Sequence, residues 1–574
     1  MSYFAQLPHN HPLNQVPNPL AEWDSEELAK TYLKSSLPIV APGGRVPSVQ
    51  TRLQMLRVRM FELEALRKSN HAVTKFDRDL ALVLYERKFL LWLNFPIRSL
   101  PDEILTMIFR YVVWSSVGAI EANHHRFSLT WACRRFRALA LSDATLWNSV
   151  WFRDSAPWER SLAFIQRAGM AALDIRIDEK CGPKGSAHDK PPKYPQITVP
   201  QIKDILAVLK PRIGQLRVLV VALANIEVVE AFMDGLSKAG PLAALEAIEV
   251  RRTGQPHQWP KEKSAGAGGH LALSAHPIPK LMCLSLNGVT TNWNALPTSN
   301  LRTIDLRRMA LEACPTSDRW TEMLRTSRDL FKLLLDGAGP QLGPKHQHLG
   351  IARPVDLPSL GDLKIGSMSC VYAMHLLAHM NAPRLMSLTL MSLVMQDYGP
   401  LIEMLKGRFP EVRMLQTHGL WVAKTDVNME HAVRWFESMP HLKLYKFSQT
   451  ASHLLDVLLA DPRGYRAPGE MDTRPAGGQE GKRPVLCPEL DTVQSEGQQE
   501  KDMSTLAKGR KDLGVMLKRV YTRLSDAGGI KPEEAVRISE SVGQLCMVSL
   551  TQMIPEEGAI NEEMSNAFGI ERRR

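Results

Sequence analysis

Cysteine is scarce and unpatterned in this chain of 574 residues: there are seven, an odd number, and none falls in a C-x-x-C spacing. That argues against a disulfide framework or a zinc ribbon and fits a reducing compartment, cytoplasmic and/or nuclear. Long hydrophobic runs are lacking as well. The longest, VLVVALANI at Val218–Ile226, is crowded by Arg217, Glu227 and Glu230 and is less than half a bilayer span, so it reads as a buried strand and no membrane partner is expected. Charge of one sign is nowhere concentrated. The net +11 is spread along the chain, and nucleic acid is not an expected partner. Positions 1–48 lack both a basic start and a continuous apolar run and carry prolines at 8, 12, 17, 19, 38, 42 and 47. They read as a disordered leader rather than a signal peptide.

Catalytic signatures are missing too. Neither G-x-x-x-x-G-K-[ST] nor G-x-S-x-G occurs, and Gly337-Ala338-Gly339-Pro340 follows a strand-like run without completing G-x-G-x-x-G, so no phosphate cradle is built. His346 with His348, and the adjacent His124-His125, are too few for a metal set. Arg134, Arg135 and Arg137 read as the solvated face of a helix rather than a nucleic-acid patch. No catalytic residue, cofactor site or metal ligand is therefore assigned, and no cofactor is expected.

What is present is a folded chain of several units. Hydrophobic content of 44% and charged content of 23% are ordinary for globular proteins, and the length suggests roughly three or four domains. From Val49 to Leu93 there is neither proline nor glycine. Leu53, Leu56, Met60 and Leu63 fall at three- and four-residue steps, and Val73, Phe76, Leu80, Val83 and Leu90 resume the pattern. Positions 49–95 thus read as an amphipathic helix broken near Ser69-Asn70, either a dimerising coiled coil or a hairpin folded back on the segment C-terminal to it. The register slip after Leu63 favours folding back.

Phe95-Pro96 ends that segment. In the next, 97–151, Ser99 is placed as an N-cap, Pro101 in the first turn, and Asp102 and Glu103 where the helix dipole favours acid. Ile104, Leu105, Ile108, Phe109 and Val112 share one face. A second helix is expected over 128–141, with Leu129, Ala132, Cys133, Phe136 and Ala140 on one side, and 114–127 is expected to be a loop insertion. The ordered set Leu100, Pro101, Glu103, Ile104, Leu105, Ile108 and Phe109, followed by Cys133, Arg134, Phe136, Arg137, Leu139, Ala140, Leu146 and Trp147, resembles the F-box motif. Phe136 and Ala132 stand where that family usually has tryptophan and valine. The resemblance implies docking on a Skp1-like adaptor, and through it on a cullin and a RING subunit. Leu100, Pro101, Ile104, Leu105, Ile108 and Phe109 would form the contact, supported by Cys133 and Trp147.

Beyond this segment L-x-x-L-x-L recurs, with Ile, Val or an aromatic tolerated. It stands at Leu216/Leu219/Val221, Leu245/Ile248/Val250, Leu281/Leu284/Leu286, Leu301/Ile304/Leu306, Leu330/Leu333/Leu335, Leu360/Leu363/Ile365, Leu385/Leu388/Leu390 and Leu442/Tyr445/Phe447, with weaker copies from Val412 and Leu490. Strands are also read at 147–152 and 173–177, and helices at 158–169, 200–209, 371–380, 398–408 and 429–438. The steps of mostly about 20–30 residues suit leucine-rich repeats. The asparagine or cysteine that normally closes each such turn does not recur, so the array is degenerate. Loop insertions are placed at about 180–196, 253–279, 336–358 and 462–488. Helices at 503–527 and 532–553 would cap the array ahead of an exposed tail. The expected fold is α/β with an α-helical N-terminal part: an F-box helical bundle followed by a leucine-rich-repeat-like α/β solenoid over 152–574. The expected function is a non-enzymatic substrate-recognition adaptor of an SCF-type ubiquitin ligase, its solenoid holding an unknown protein substrate. The alternative is a scaffold acting outside ubiquitination.

Overall fold

The computed structural model describes residues 49–69, parts of 79–100, 101–179, 196–253, 273–341, 354–465, 484–523, 532–548 and 553–569, apart from a few positions within these ranges. The leader 1–48, Ser99, His346 and His348, and most of the four insertions lie outside the described residues. The chain forms two compact units. One runs to Trp147 and includes Arg167–Gly169; the other holds Asn148–Gln166 and Met170–Arg573.

The first unit is helical: α1 (Val49–Ser69), α2 (Asp102–Trp114), α3 (Ala119–Ala132) and α4 (Arg134–Ser142). Leu56 and Leu63 of α1 are each 1% exposed. Arg52 Nε donates to Glu86 Oε1 at 2.8 Å. One continuous helix would hold those residues about 50 Å apart, so Arg52 and Glu86 do not lie on a single straight helix. In α2 the buried residues Leu105, Phe109 and Val113 repeat every four positions, and Phe109 meets Phe136 edge to face at 4.9 Å between ring centres. Trp147 is also buried, its Nε1 donating to the Ala140 carbonyl at 2.7 Å.

Two expectations fail here. Positions 114–127 are not a loop, because α3 occupies 119–132, and the helix expected over 128–141 is interrupted at Cys133. Cys133 adopts an extended backbone (φ −163°, ψ 170°) and its Sγ accepts the Phe136 amide. A residue at a junction caps a new helix in this way, and the apolar periodicity running through Leu129 and Phe136 hides the break. The segment 97–151 also gives up its last residues, since Ser149–Phe152 is a strand of the second unit.

Among the described residues the second unit is built on a parallel sheet of fourteen strands, each paired with the strands next to it in the sheet's chain order. They are β1 (Ser149–Phe152), β2 (Leu173–Asp178), β3 (Leu216–Leu223), β4 (Ala247–Arg252), β5 (Cys283–Asn287), β6 (Thr303–Arg307) and β7 (Lys332–Asp336). Then come β8 (Asp362–Gly366), β9 (Ser387–Leu393), β10 (Met414–Leu420), β11 (Leu444–Ser448), β12 (Thr492–Glu496), β13 (Arg519–Arg523) and β14 (Gln544–Val548). The helices are α5 (Glu159–Ala168), α6 (Val199–Leu209), α7 (Ile226–Ser237), α8 (Ser317–Thr326), α9 (Cys370–Ala378) and α10 (Gly399–Leu405). After them are α11 (Asp426–Glu437), α12 (Ser452–Val457), α13 (Glu500–Asp512), α14 (Pro532–Ser539) and α15 (Pro555–Ala567). A separate two-residue parallel pair joins Val355–Asp356 to Met380–Asn381.

Register follows the apolar pattern. One row runs unbroken through Val150, Ile175, Leu219, Ile248, Leu284, Ile304, Leu333, Leu363, Leu388, Leu415, Tyr445, Val493, Val520 and Leu545. A slip by one residue would turn the whole row out of the core, which fixes the alignment. The residue opening most motifs closes a turn: the amides of Leu245, Leu281, Leu330, Leu360, Leu385, Val412, Leu442 and Leu490 each donate three residues back at 3.0–3.3 Å, whereas the Leu301 amide donates to the Ser327 hydroxyl at 3.2 Å. Pro279, Pro358, Pro383, Pro410, Pro440 and Pro488 occupy the second position of such turns, where their fixed φ is already correct. Leaving the strands, Asn225, Thr316, Ser369 and Thr425 cap α7, α8, α9 and α11 through side-chain oxygens, each such cap being worth about 1 kcal/mol.

The C-terminal region departs furthest from expectation. The helices expected at 503–527 and 532–553 are each shorter, and each is followed by a further strand, β13 and β14. Gly514, at φ +79°, turns the chain after α13, where few other residues sit without strain. The tail expected to be exposed contains α15, with Ile554, Ile560 and Met564 buried. The insertions are anchored at their ends, since Leu273, Ile278, Leu357 and Cys487 are all buried.

Candidate docking surfaces

In the helical unit, the residues tied to adaptor docking by the F-box resemblance separate into two groups. Leu105, Phe109 and Trp147 point inward and close the unit's own core. Pro101 and Ile104 are exposed, whereas Leu100, Ile108 and Cys133 are half-buried. Pro101 sits in the N-cap position of α2 with no side-chain cap bond. The start of α2 is instead held by Arg135 of α4, whose guanidinium donates to the Leu100 carbonyl at 2.7 Å and to Asp102 at 3.0 Å.

Beside these residues lies a stripe that motif reasoning passed over. Ile104, Met107 and Tyr111 are 41%, 62% and 67% exposed, and their i, i+3, i+7 spacing puts them on one side of α2. Trp131 near the end of α3 is 74% exposed and stacks on Phe127 at 5.8 Å. The signal was available, because DEILTMIFRYVVW has more apolar positions than one buried face can use. A contiguous apolar stripe, unlike scattered single residues, is a candidate interaction surface.

Polar bonds behind the stripe stiffen the unit. Asp143 accepts from Arg110 Nε and the Thr145 hydroxyl at 2.8 and 2.7 Å. Burial pushes its carboxyl upward, but these bonds, the Thr145 amide and the Arg110 charge together hold it below the usual carboxylate range. Arg126 is buried and donates to the Leu146 carbonyl at 2.6 Å; burial lowers its guanidinium to about 10.

In the second unit the sheet face bearing the alternate residues divides into two parts. Over β4–β6 these residues are only half-buried and carry paired charges: Arg251 with Glu249 at 3.4 Å, and Arg307 with Asp305 at 2.7 Å. A shallow depression of about 340 Å³ opens there, lined by Val218, Glu249, Ser285 and Lys332 among others. Along β8–β11 the same face is largely covered. Met386, Met414, Leu444, Tyr521 and Val548 form an apolar floor with Ile554, Ile560 and Met564.

Elsewhere the candidate motifs resolve into structure. Tyr372 donates its hydroxyl to the Pro340 carbonyl at 2.7 Å, and a side chain at Gly339 would run into that ring, so the Gly337–Pro340 turn is packed rather than open to a phosphate. His125 Nδ1 lies 2.8 Å from Ser116 Oγ and 3.0 Å from the Val112 carbonyl. Among the described residues no three His, Cys, Asp or Glu side chains are grouped to hold a metal ion, and no helix is long and apolar enough to cross a membrane. The chain matches no protein-family model and no curated protein.

Proposed function

We propose that this chain is a non-catalytic adaptor with two binding surfaces, the substrate-recognition subunit of a Skp1-cullin-F-box type ubiquitin ligase. The helical unit docks on a Skp1-like protein, and the sheet of the second unit, read as a degenerate leucine-rich solenoid, holds a target protein. Such a chain works in the cytoplasm and/or nucleus, and the ubiquitin chemistry belongs to the enzymes it recruits.

The observation that carries this reading is the stripe Ile104, Met107 and Tyr111, left 41–67% exposed on a unit whose core is already closed by Leu105, Phe109 and Val113. Aromatic and Met side chains are enriched at protein interfaces. The strictly sequential parallel sheet with its repeated turns supports the second half of the reading, since stacked strand-turn-helix units present long binding surfaces. The test is affinity purification of the intact chain against a Met107→Asp/Tyr111→Asp variant. Skp1 and a cullin should come down with the first and be reduced at least tenfold with the second. Recovery of neither with the intact chain assigns it to scaffolding, and equal recovery with both removes the stripe from the interface.

A further inference from the structure

The last helix of the second unit, α15, lies across the sheet face. Its acids meet a row of cations drawn from several strands and the loops before them. Glu556 pairs with Arg519 and accepts the Tyr521 hydroxyl at 2.9 Å. Glu557 accepts from Lys446 at 2.8 Å, and Glu563 sits between Arg413 and Lys443. Beneath this acidic edge, Ile560 and Met564 stand on Met386, Met414 and Leu444. At the far end Arg384 donates to the Ala567 carbonyl at 3.0 Å and covers the Phe568 ring at 4.6 Å, while Phe331 meets Phe568 edge to face. The dimensions agree: a helix of 13 residues is about 20 Å long and spans about four strand spacings, the distance from β13 back to β9.

The groove is thus an apolar floor with a basic rim, and its present occupant is held through the side chains of one face. A helix this short is not stable alone in water, and Gly558 in its first turn weakens it further. α15 is helical because it is seated. A segment whose fold depends on one face opens more readily than the sheet below it.

We infer that this face is a docking groove for an amphipathic helix with an acidic edge, supplied by a partner protein, and that α15 is a resident helix that the partner must displace. The partner helix carries carboxylates at i, i+1 and i+7 and apolar side chains at i+4 and i+8, the pattern of Glu556, Glu557, Glu563, Ile560 and Met564. The inference rests on the sheet half of the proposed function and is independent of Skp1 binding.

The probe is a fluorescein-labelled synthetic peptide of residues 553–570, followed by anisotropy. It is titrated into the full chain and into a full-chain Ile560→Asp/Met564→Asp variant whose resident helix is disabled. The variant should bind at least tenfold more tightly than the intact chain. A peptide carrying Glu556→Lys, Glu557→Lys and Glu563→Lys should bind that variant at least fivefold more weakly, and adding Lys446→Glu and Arg519→Glu to the variant should restore it. If the apolar double variant misfolds, the full chain carrying Glu556→Lys/Glu557→Lys replaces it, with the same expected order. A folded variant that does not bind, equal binding by variant and intact chain, or indifference to charge reversal overturns the inference. So does a concentration-dependent doubling of mass in the intact chain, which would assign the groove to α15 of a second copy. None of these results bears on Skp1 recovery, so failure here and failure of the ligase reading are separable.

Discussion

Phe109→Ala and Met107→Ala, two residues apart on α2, should separate stability from docking. Phe109 is 1% exposed and packs edge to face on Phe136 at 4.9 Å. Removing a buried ring and the contacts it makes costs about 3–5 kcal/mol, the ring pair supplying about 0.5–1.5 of it. Met107 is 62% exposed, and truncating such a residue moves stability by no more than about 0.5 kcal/mol. Hydrogen exchange read by mass spectrometry on peptides from 102–142 of the full chain reports this unit alone. At about 1.4 kcal/mol per tenfold, Phe109→Ala should accelerate exchange of its slowest amides by roughly 10²–10⁴, and Met107→Ala by less than about threefold. In Skp1 pull-down the order reverses for the fraction that is folded, with Met107→Ala losing more binding than its stability explains. Equal exchange in the two variants, or protection left intact by Phe109→Ala, would refute the division of α2 into a core face and a docking face.

Two further outcomes are expected from the polar bonds. The Asp143 carboxyl titrates below its ordinary value of 3.8 in the folded unit, so its contribution is present above that value and is lost as pH falls through it toward the depressed one. Asp143→Asn should flatten that acid-side loss in a pH series of hydrogen exchange or thermal melts, and an unchanged slope would exclude the carboxylate as its source. Arg510 is wholly buried and donates to the carbonyls of Leu486, Cys487 and Leu490 at 2.8, 3.0 and 3.1 Å. Arg510→Met leaves the Leu486 and Leu490 oxygens without that donor at about 1–3 kcal/mol each, the Cys487 oxygen keeping the Leu490 amide, while relieving a desolvated cation worth several kcal/mol. The net loss should be about 2–4 kcal/mol, read as faster exchange around 486–493, and a neutral result would mean that water or backbone shifts satisfy the carbonyls.

The sheet was legible where side chains report a face. A leucine or another large apolar residue at each inward position, and in six turns a proline at the second residue, are local demands, so β3 to β12 can be found by inspection. β13 and β14 were missed because LKRVYTR and GQLCMV repeat the strand pattern with few leucines and come after segments of good helix formers. Propensity read over a long window merged helix, turn and strand. The break at Cys133 was invisible for the opposite reason, since its neighbours keep a helical period across a non-helical residue. At the exposed stripe of α2, motif matching favoured Leu105 and Phe109, whose burial makes them indispensable to the fold. Exposure, which marks Met107 and Tyr111, is a tertiary property that no spacing records. Nothing in the sequence paired Glu556 with Arg519 or Glu557 with Lys446, because register between a helix and a distant strand has no one-dimensional signature.

The position of α15 downstream of the strands it covers also sets a timetable. Met386 and Met414 of the floor leave the ribosome well before the helix that covers them, and the interval from Met386 to Met564 is about 180 residues, or about 10–35 s at about 5–20 residues per second. Each strand of the large sheet pairs only with its neighbours in that sheet's chain order, so the sheet can assemble as it emerges while its groove waits for α15. A partner helix of the inferred kind, if present during translation, would meet that groove vacant. One arriving afterwards meets it filled, and so the same pair of proteins would associate at two different rates depending on when they first meet.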